Sequence, residues 1–204
     1  MADPIRLLLA DDQALVRGAL AALLGLEPDF EVVAEVDRGD EVLDAVRAQR
    51  VDVALLDIEM PGLDGIAVAE QLAAEAPGVR SLIVTTFGRP GYLRRAMDAG
   101  AAGFVVKDTP ADELADAVRR VHQGLRVVDP GLATESVIEG SSPLTDRERE
   151  VLRHVLSGAP IADIADVVAL SEGTVRNYLS TAAAKSNARS SAEAAVIARD
   201  RGWL

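Results

Sequence analysis

Apolar positions in the first 124 residues switch between two periods, and each switch marks an element. Ile5–Ala10 is a near-continuous apolar run, as in a strand covered on both faces. Leu15, Val16, Ala19, Leu20, Leu23 and Leu24 then recur at helical spacing and stop at Gly25. The alternation continues, with a strand at Phe30–Val36 and a helix at Asp40–Gln49. Val53–Leu56 is a strand ending at Asp57, and Pro61-Gly62 breaks the chain before a helix over Asp64–Ala76. Ser81–Thr85 predicts a strand, Pro90–Ala99 a helix ending at Gly100, and Gly103–Val106 a further strand. Thr109 reads as an N-cap with Pro110 at the first helical position, and Asp112 and Glu113 suit the dipole of that first turn. The helix runs to about Gln123 and ends at Gly124.

Five strands alternating with five helices predict an α/β fold, a five-stranded doubly wound parallel sheet. Ligands of such sheets bind beyond the carboxyl ends of the strands. The loops after residues 10, 57, 85 and 106 therefore gather at one rim. Residues 125–142 carry Pro, Gly and Ser without a strong period and read as a linker between a domain at 1–124 and one at 143–204. The second domain carries only helix signals. Thr145-x-x-Glu148 and Ser190-x-x-Glu193 are capping boxes. Pro160–Val168 and a helix capped by Ser171 and running to about Lys185 are joined by Ala169-Leu170, which is helix-turn-helix spacing in a small all-α bundle. Leu144, Val151, Leu152, Val155, Ile161, Ile164, Ala165, Leu170, Val175 and Leu179 are its core positions by spacing.

Composition narrows the chemistry. The chain has 204 residues, 49 % of them apolar and 26 % charged, as in a folded protein. No apolar run approaches the ~20 residues of a membrane span, and no basic segment precedes a long apolar one, so a cytoplasmic protein is expected. The absence of Cys excludes disulfides and thiolate chemistry, and two distant His, His122 and His154, argue against a histidine metal site. The net charge of −12 lies wholly in residues 1–140, with 25 acids and 13 bases, whereas 141–204 holds 8 of each. Any contact with a polyanion is therefore expected in the second part.

The rim collects carboxylates. Asp11 and Asp12 follow the first strand and Asp57 ends the third; Thr85 ends the fourth and Lys107 the fifth. Taken singly, Asp11 or Asp12 could cap a helix and Asp57 merely end a strand. Together, oxygen ligands without His or Cys suit Mg²⁺, and acids, hydroxyl and ammonium around one point suit phosphoryl transfer to a carboxylate. Thr86 is the alternative hydroxyl.

ADDQ at 10–13, LLDIEMPGLDG at 55–65, IVTTF at 83–87 and GFVVKD at 103–108 resemble the receiver domain of two-component response regulators, which has a flavodoxin-like fold. The resemblance covers residues 4–123. It implies Asp57 as phospho-acceptor, with Mg²⁺ bound by Asp12 directly, by Asp11 through water and by the backbone carbonyl of Glu59. It implies Thr85 as the switch hydroxyl, Lys107 as the phosphate-pairing cation and Phe104 as the aromatic that follows Thr85. The partner would be a sensor histidine kinase, and the output a homodimer formed on phosphorylation. Arg89, Tyr92, Arg94 and Arg95 are candidates for that new surface.

LTDREREVLRHVLSG and IADIADVVALSEGTVRNYLSTAAAK resemble the LuxR/NarL helix-turn-helix class. That implies double-stranded promoter DNA as partner. Arg176 and Asn177 would meet bases, and Thr174, Tyr178 and Lys185 phosphate or groove edges, with Tyr178 alternatively bracing the helix. Two departures stand out. Asp163 occupies a turn that is usually basic, and Lys185-Ser186-Asn187-Ala188-Arg189-Ser190-Ser191 replaces the usual Lys-Leu-Gly-Val. Fewer cations weaken non-specific binding and flatten its salt dependence. The leading expectation is a phosphorylation-activated transcription factor. One competitor is a receiver-controlled regulator whose helical domain binds protein or only dimerises. Another is an Asp-nucleophile phosphatase or mutase turning over on Asp57, with Glu59 as its acid/base.

Overall fold

The computed structural model describes residues 3–86, 90–129, 131–132 and 142–204. Phe87, Arg89 and most of the expected linker lie outside the described residues. The chain forms two compact units.

The N-terminal part of the chain runs β1 (Ile5–Ala10), α1 (Ala14–Leu24), β2 (Phe30–Val36), a 3-10 turn (Gly39–Glu41), α2 (Val42–Ala48), β3 (Val53–Leu56), α3 (Gly65–Glu75), β4 (Arg80–Thr85), α4 (Pro90–Asp98, of which the first unit takes Leu93 onward), β5 (Gly103–Val106), α5 (Ala111–His122) and β6 (Val127–Val128). All strands are parallel, in the order β2-β1-β3-β4-β5-β6. Strand periodicity splits the apolar residues between two faces. Leu7, Leu9, Val53, Leu55, Leu82 and Val84 pack with Leu24 of α1 and Leu114, Val118 and Val121 of α5. Leu8, Ala54, Leu56, Ile83 and Phe104 are buried on the other face, where α3 packs on β3 and β4 through a buried stripe that includes Ile66, Val68 and Leu72.

The sheet has six strands and not five. Gly124 turns at φ 85°, and two β-branched residues from the expected linker then pair with Gly103 and Phe104. The fifth helix also begins one residue late: Pro110 is its N-cap, with ψ 146°, and Thr109 lies outside it. On α1 the apolar spacing overstates burial, for Leu15 is 86 % exposed.

The second unit contains α6 (Asp146–Leu156), α7 (Ile161–Val167), α8 (Glu172–Lys185) and α9 (Ser191–Asp200). Both halves of the Thr145–Glu148 capping box are made. Leu144, Val151, Leu152, Ile164, Ala165, Val175 and Leu179 are buried, with Val155, Ile161 and Leu170 packed against them. Ala194, Ala195, Ala198 and Trp203 complete this core. The α7–α8 turn puts Ala169 at φ 54°, a left-handed conformation costly for a residue with Cβ.

Candidate functional site

Parallel pairing brings the predicted rim together. Asp57 follows β3, and its N–H donates to the Ala10 carbonyl at 2.9 Å, so β1 and β3 end side by side. Across the rim, the Lys107 N–H donates to the Thr85 carbonyl at 2.8 Å. The carboxylate oxygens of Asp11, Asp12 and Asp57 lie within 4.8 Å of one another; Asp11 and Asp57 are buried and Asp12 is exposed. The Lys107 ammonium is 2.7 Å from Asp11 Oδ2 and 3.0 Å from Asp57 Oδ2.

Neither Asp11 nor Asp12 caps α1, whose N-cap is Gln13. Asp11 Oδ1 instead accepts from the Gln13 N–H at 2.9 Å, and Asp57 Oδ1 from the Ile58 N–H at 2.8 Å. Burial pushes Asp57 above the ordinary carboxylate range; Lys107 pulls it down and Asp11 pushes it up further. Burial alone would lower Lys107, but its contacts with Asp11 and Asp57 outweigh burial and raise it. Two buried carboxylates, Asp11 and Asp57, thus share one buried ammonium, with the exposed carboxylate of Asp12 beside them. Three carboxylates against one ammonium leave a surplus of hard oxygen donors, which fits Mg²⁺.

The loop after Asp57 is shaped by close backbone approach. A Cβ on Gly65 would fall 2.0 Å from the Asp57 carbonyl, so a side chain there would displace the end of β3. Glu59 lies in this loop and is exposed. Thr85 is buried whereas Thr86 is exposed, which favours Thr85 as a hydroxyl facing the interior. Phe104 is fully buried and pairs in register with Ile83, two residues before Thr85. Phe104, Ile83 and Thr85 therefore share one face of the sheet.

In the second unit, α8 buries Val175, Leu179 and Ala182 and exposes Arg176 and Asn177. Ser171 caps it by accepting from the Thr174 N–H at 3.2 Å, and the two hydroxyls meet at 2.8 Å. Arg176 pairs with Glu172 at 2.7 Å, and Tyr178 packs partly against the core. Lys185 reaches Glu148 Oε2 at 2.8 Å, and Glu148 is buried. Burial would raise Glu148, yet Lys185 and the Thr145 backbone and hydroxyl hold it below its ordinary range. Asp163 is exposed in the first turn of α7. Asn187 adopts φ 55°, a conformation Asn tolerates, and Ser186 is buried with its hydroxyl bonded to the Ala182 carbonyl. The departures after α8 therefore preserve the helix end.

Sequence reasoning missed two contacts. The Arg17 guanidinium donates to the Asp11 carbonyl at 2.5 Å. Glu148, read only as a cap, also carries Lys185. Helical spacing places Arg17 one turn into α1, but no spacing rule joins Glu148 to a residue in another helix.

Comparison with known proteins agrees with this geometry. Residues 7–119 match the family model described as the response regulator receiver domain, and residues 142–198 the one described as bacterial regulatory proteins, luxR family. The transcriptional regulatory protein YvfU of Bacillus subtilis is 44 % identical over 200 residues, 98 % of this chain and 100 % of that protein. The transcriptional regulatory protein DesR of the same organism is 42 % identical, with 98 % and 99 % covered. Among solved structures, the response regulator ChrA of a heme-sensing two-component system aligns with TM-score 0.60 at 32 % identity over 100 % of both chains. RcsB bound to DNA has TM-score 0.70, but at 20 % identity over 97 % of this chain and 99 % of that one it is a likeness of fold alone.

Proposed function

Because the chain belongs to the response regulators that join a receiver domain to a LuxR-type DNA-binding domain, we propose that a histidine kinase phosphorylates Asp57 and that the chain then dimerises and binds promoter DNA. The family is one of transcription factors and not of enzymes. The reading rests on one observation: Lys107 bridges Asp11 and Asp57 beside Asp12 at the carboxyl ends of β1, β3 and β5.

An Asp57 oxygen attacks the phosphorus of a kinase phosphohistidine. The P–N bond breaks as the P–O bond forms, leaving an acyl phosphate on Asp57 and the imidazole on the kinase. Asp11, Asp12, Asp57 and the Glu59 carbonyl would hold Mg²⁺, which when bound offsets the negative charge of the carboxylates and phosphoryl oxygens. Lys107 supplies the fixed positive charge. The phosphoryl group adds roughly one negative charge beyond the carboxylate. It draws the Thr85 hydroxyl toward it, and Phe104 follows on the same sheet face. Tyr92, Arg94 and Arg95 of α4 belong to the surface that dimerises.

We assign promoter recognition to α8, with Arg176 and Asn177 on base edges and Thr174 and Tyr178 on phosphate or groove edges. Lys185, expected at phosphate, is bound to Glu148, and we assign it to bracing. Among the described residues no helix is long and apolar enough to cross a membrane. We place the domain limits at 1–124 and 143–204 with the connection between them, and the site of action in the cytoplasm.

A second reading, in which the helical domain binds protein or only dimerises, is favoured by its zero net charge and by Arg176 pairing with Glu172. One experiment separates the two. Genomic DNA fragments are captured with the full chain, with and without beryllofluoride and Mg²⁺, and again with Asp57→Ala. Enrichment of an inverted repeat by activated wild type alone is expected. Induced dimerisation without enrichment sinks the DNA assignment, and no response to beryllofluoride sinks the receiver assignment.

A further inference from the structure

We infer that Arg17 is a positioning residue for the acidic pocket, holding the peptide between Asp11 and Asp12 in the turn that lets both carboxylates face one cation. The inference rests on the Mg²⁺ pocket proposed above and concerns a residue outside its ligands.

Successive side chains of an extended strand point to opposite sides. Asp11 and Asp12 are successive, yet their carboxylate oxygens lie within 4.8 Å of each other and of Asp57. That convergence requires the backbone to leave the strand at Asp11. Four contacts hold it there. The Asp11 N–H donates to the Val36 carbonyl at 3.2 Å, the last bond toward β2. Its Oδ1 accepts from the Gln13 N–H at 2.9 Å, and its Oδ2 lies 2.7 Å from Lys107. The carbonyl, which fixes the plane of the Asp11–Asp12 peptide, accepts from Arg17 Nη1 at 2.5 Å. Arg17 is itself held. Its side chain is only 17 % exposed, its own N–H donates to the Gln13 carbonyl at 2.9 Å, and its Nε lies 3.7 Å from Glu35 Oε2 on β2. A forked guanidinium reaches the carbonyl and Glu35 together, which an ammonium does not.

The sign of the effect is diagnostic. As a mere charge, Arg17 repels a cation, so its removal would tighten Mg²⁺ binding. As a fold-stabilising contact only, it would leave the affinity of the folded chain unchanged. As a positioning residue, its loss weakens binding although a repelling charge has gone.

The test uses the full chain and its Arg17→Ala variant, titrated with MgCl₂ and followed by amide NMR signals, with the urea midpoint measured in parallel. The Mg²⁺ Kd should rise about tenfold, the lower end of the loss seen when an outer-shell partner is removed. Arg17→Lys should recover part of this, and Glu35→Gln should cause a smaller loss. An Arg17→Ala Kd equal to or lower than that of wild type overturns the inference. If Arg17→Ala does not fold, Arg17→Gln and Arg17→Lys carry the test, since both keep a stem and neither keeps the fork; wild-type affinity in both is then the overturning result. A wild-type chain that takes no Mg²⁺ overturns the pocket itself and Arg17's role with it.

Discussion

Two lysines in this chain sit against buried carboxylates, and the carboxylates answer in opposite directions. Around Lys107, Asp11 and Asp57 share one ammonium beside Asp12, and Asp57 is raised by burial. Around Lys185, a single carboxylate receives the ammonium, the Thr145 N–H and a place in a complete capping box, and Glu148 is lowered. Both sites combine an acid, a base and burial. The count of partners separates them. A carboxylate held by its own ammonium and a backbone N–H is a brace, whereas a cluster with more acid than base is left with uncompensated negative charge.

The largest expected effect comes from removing each lysine. Lys107→Ala leaves Asp11 and Asp57 buried without their cation and should cost about 3–5 kcal/mol, the range for breaking a buried pair. Millimolar Mg²⁺ should restore part of that loss. Lys185 is 32 % exposed, so Lys185→Ala should cost less and gain nothing from Mg²⁺. Urea unfolding reads both: Trp203, the single tryptophan, reports the helical core, and amide signals of the sheet report the other unit. Equal Mg²⁺ rescue of the two variants would erase the distinction.

Removing one carboxylate charge from each site should change stability with opposite sign. Glu148→Gln gives up hydrogen bonds to a charged group and should cost about 1–3 kcal/mol. Asp57→Asn relieves crowding with Asp11 and should raise the unfolding midpoint of the sheet. A fall in both midpoints would mean that the rim is as well satisfied as the brace.

The effect of pH on the helical unit follows from Glu148. Its folded pKa lies below the ordinary 4.5, so its stabilisation is present above that value and is lost as pH falls through the folded pKa. The Trp203 melting temperature should drop as pH is lowered below about 4.5, and drop less steeply in Glu148→Gln. Parallel curves for the two proteins would remove Glu148 from the account.

The smallest effect separates bracing from DNA contact. A phosphate contact contributes about 0.9 to the slope of log affinity against log salt. Lys185→Met should leave that slope unchanged in the folded, activated protein, and a fall near that size would return Lys185 to the phosphate.

Much of this was legible in the sequence because it is local or periodic. Apolar runs gave β1, β3, β4 and β5, and parallel topology alone carried Asp11, Asp57, Thr85 and Lys107 to one rim. The capping box at Thr145 needed four residues of context. What escaped notice depends on contacts between distant segments. Val127-Val128 is too short to carry a period and becomes a strand because β5 has an open edge beside it. Lys185 reads in the sequence as a phosphate or groove-edge contact, and only the fold brings it to Glu148 in another helix. Leu15 follows helical spacing yet lies exposed, since spacing sets a face without saying what covers it.

The all-parallel sheet also orders events in time. Each parallel pair closes a long loop before it returns any contact, so such sheets form slowly. The helices α6 to α9 touch partners nearby in the chain and form faster. Although the receiver leaves the ribosome first, its slower assembly leaves apolar strands, and with them the acidic rim, exposed to aggregation longer than the helices made after it.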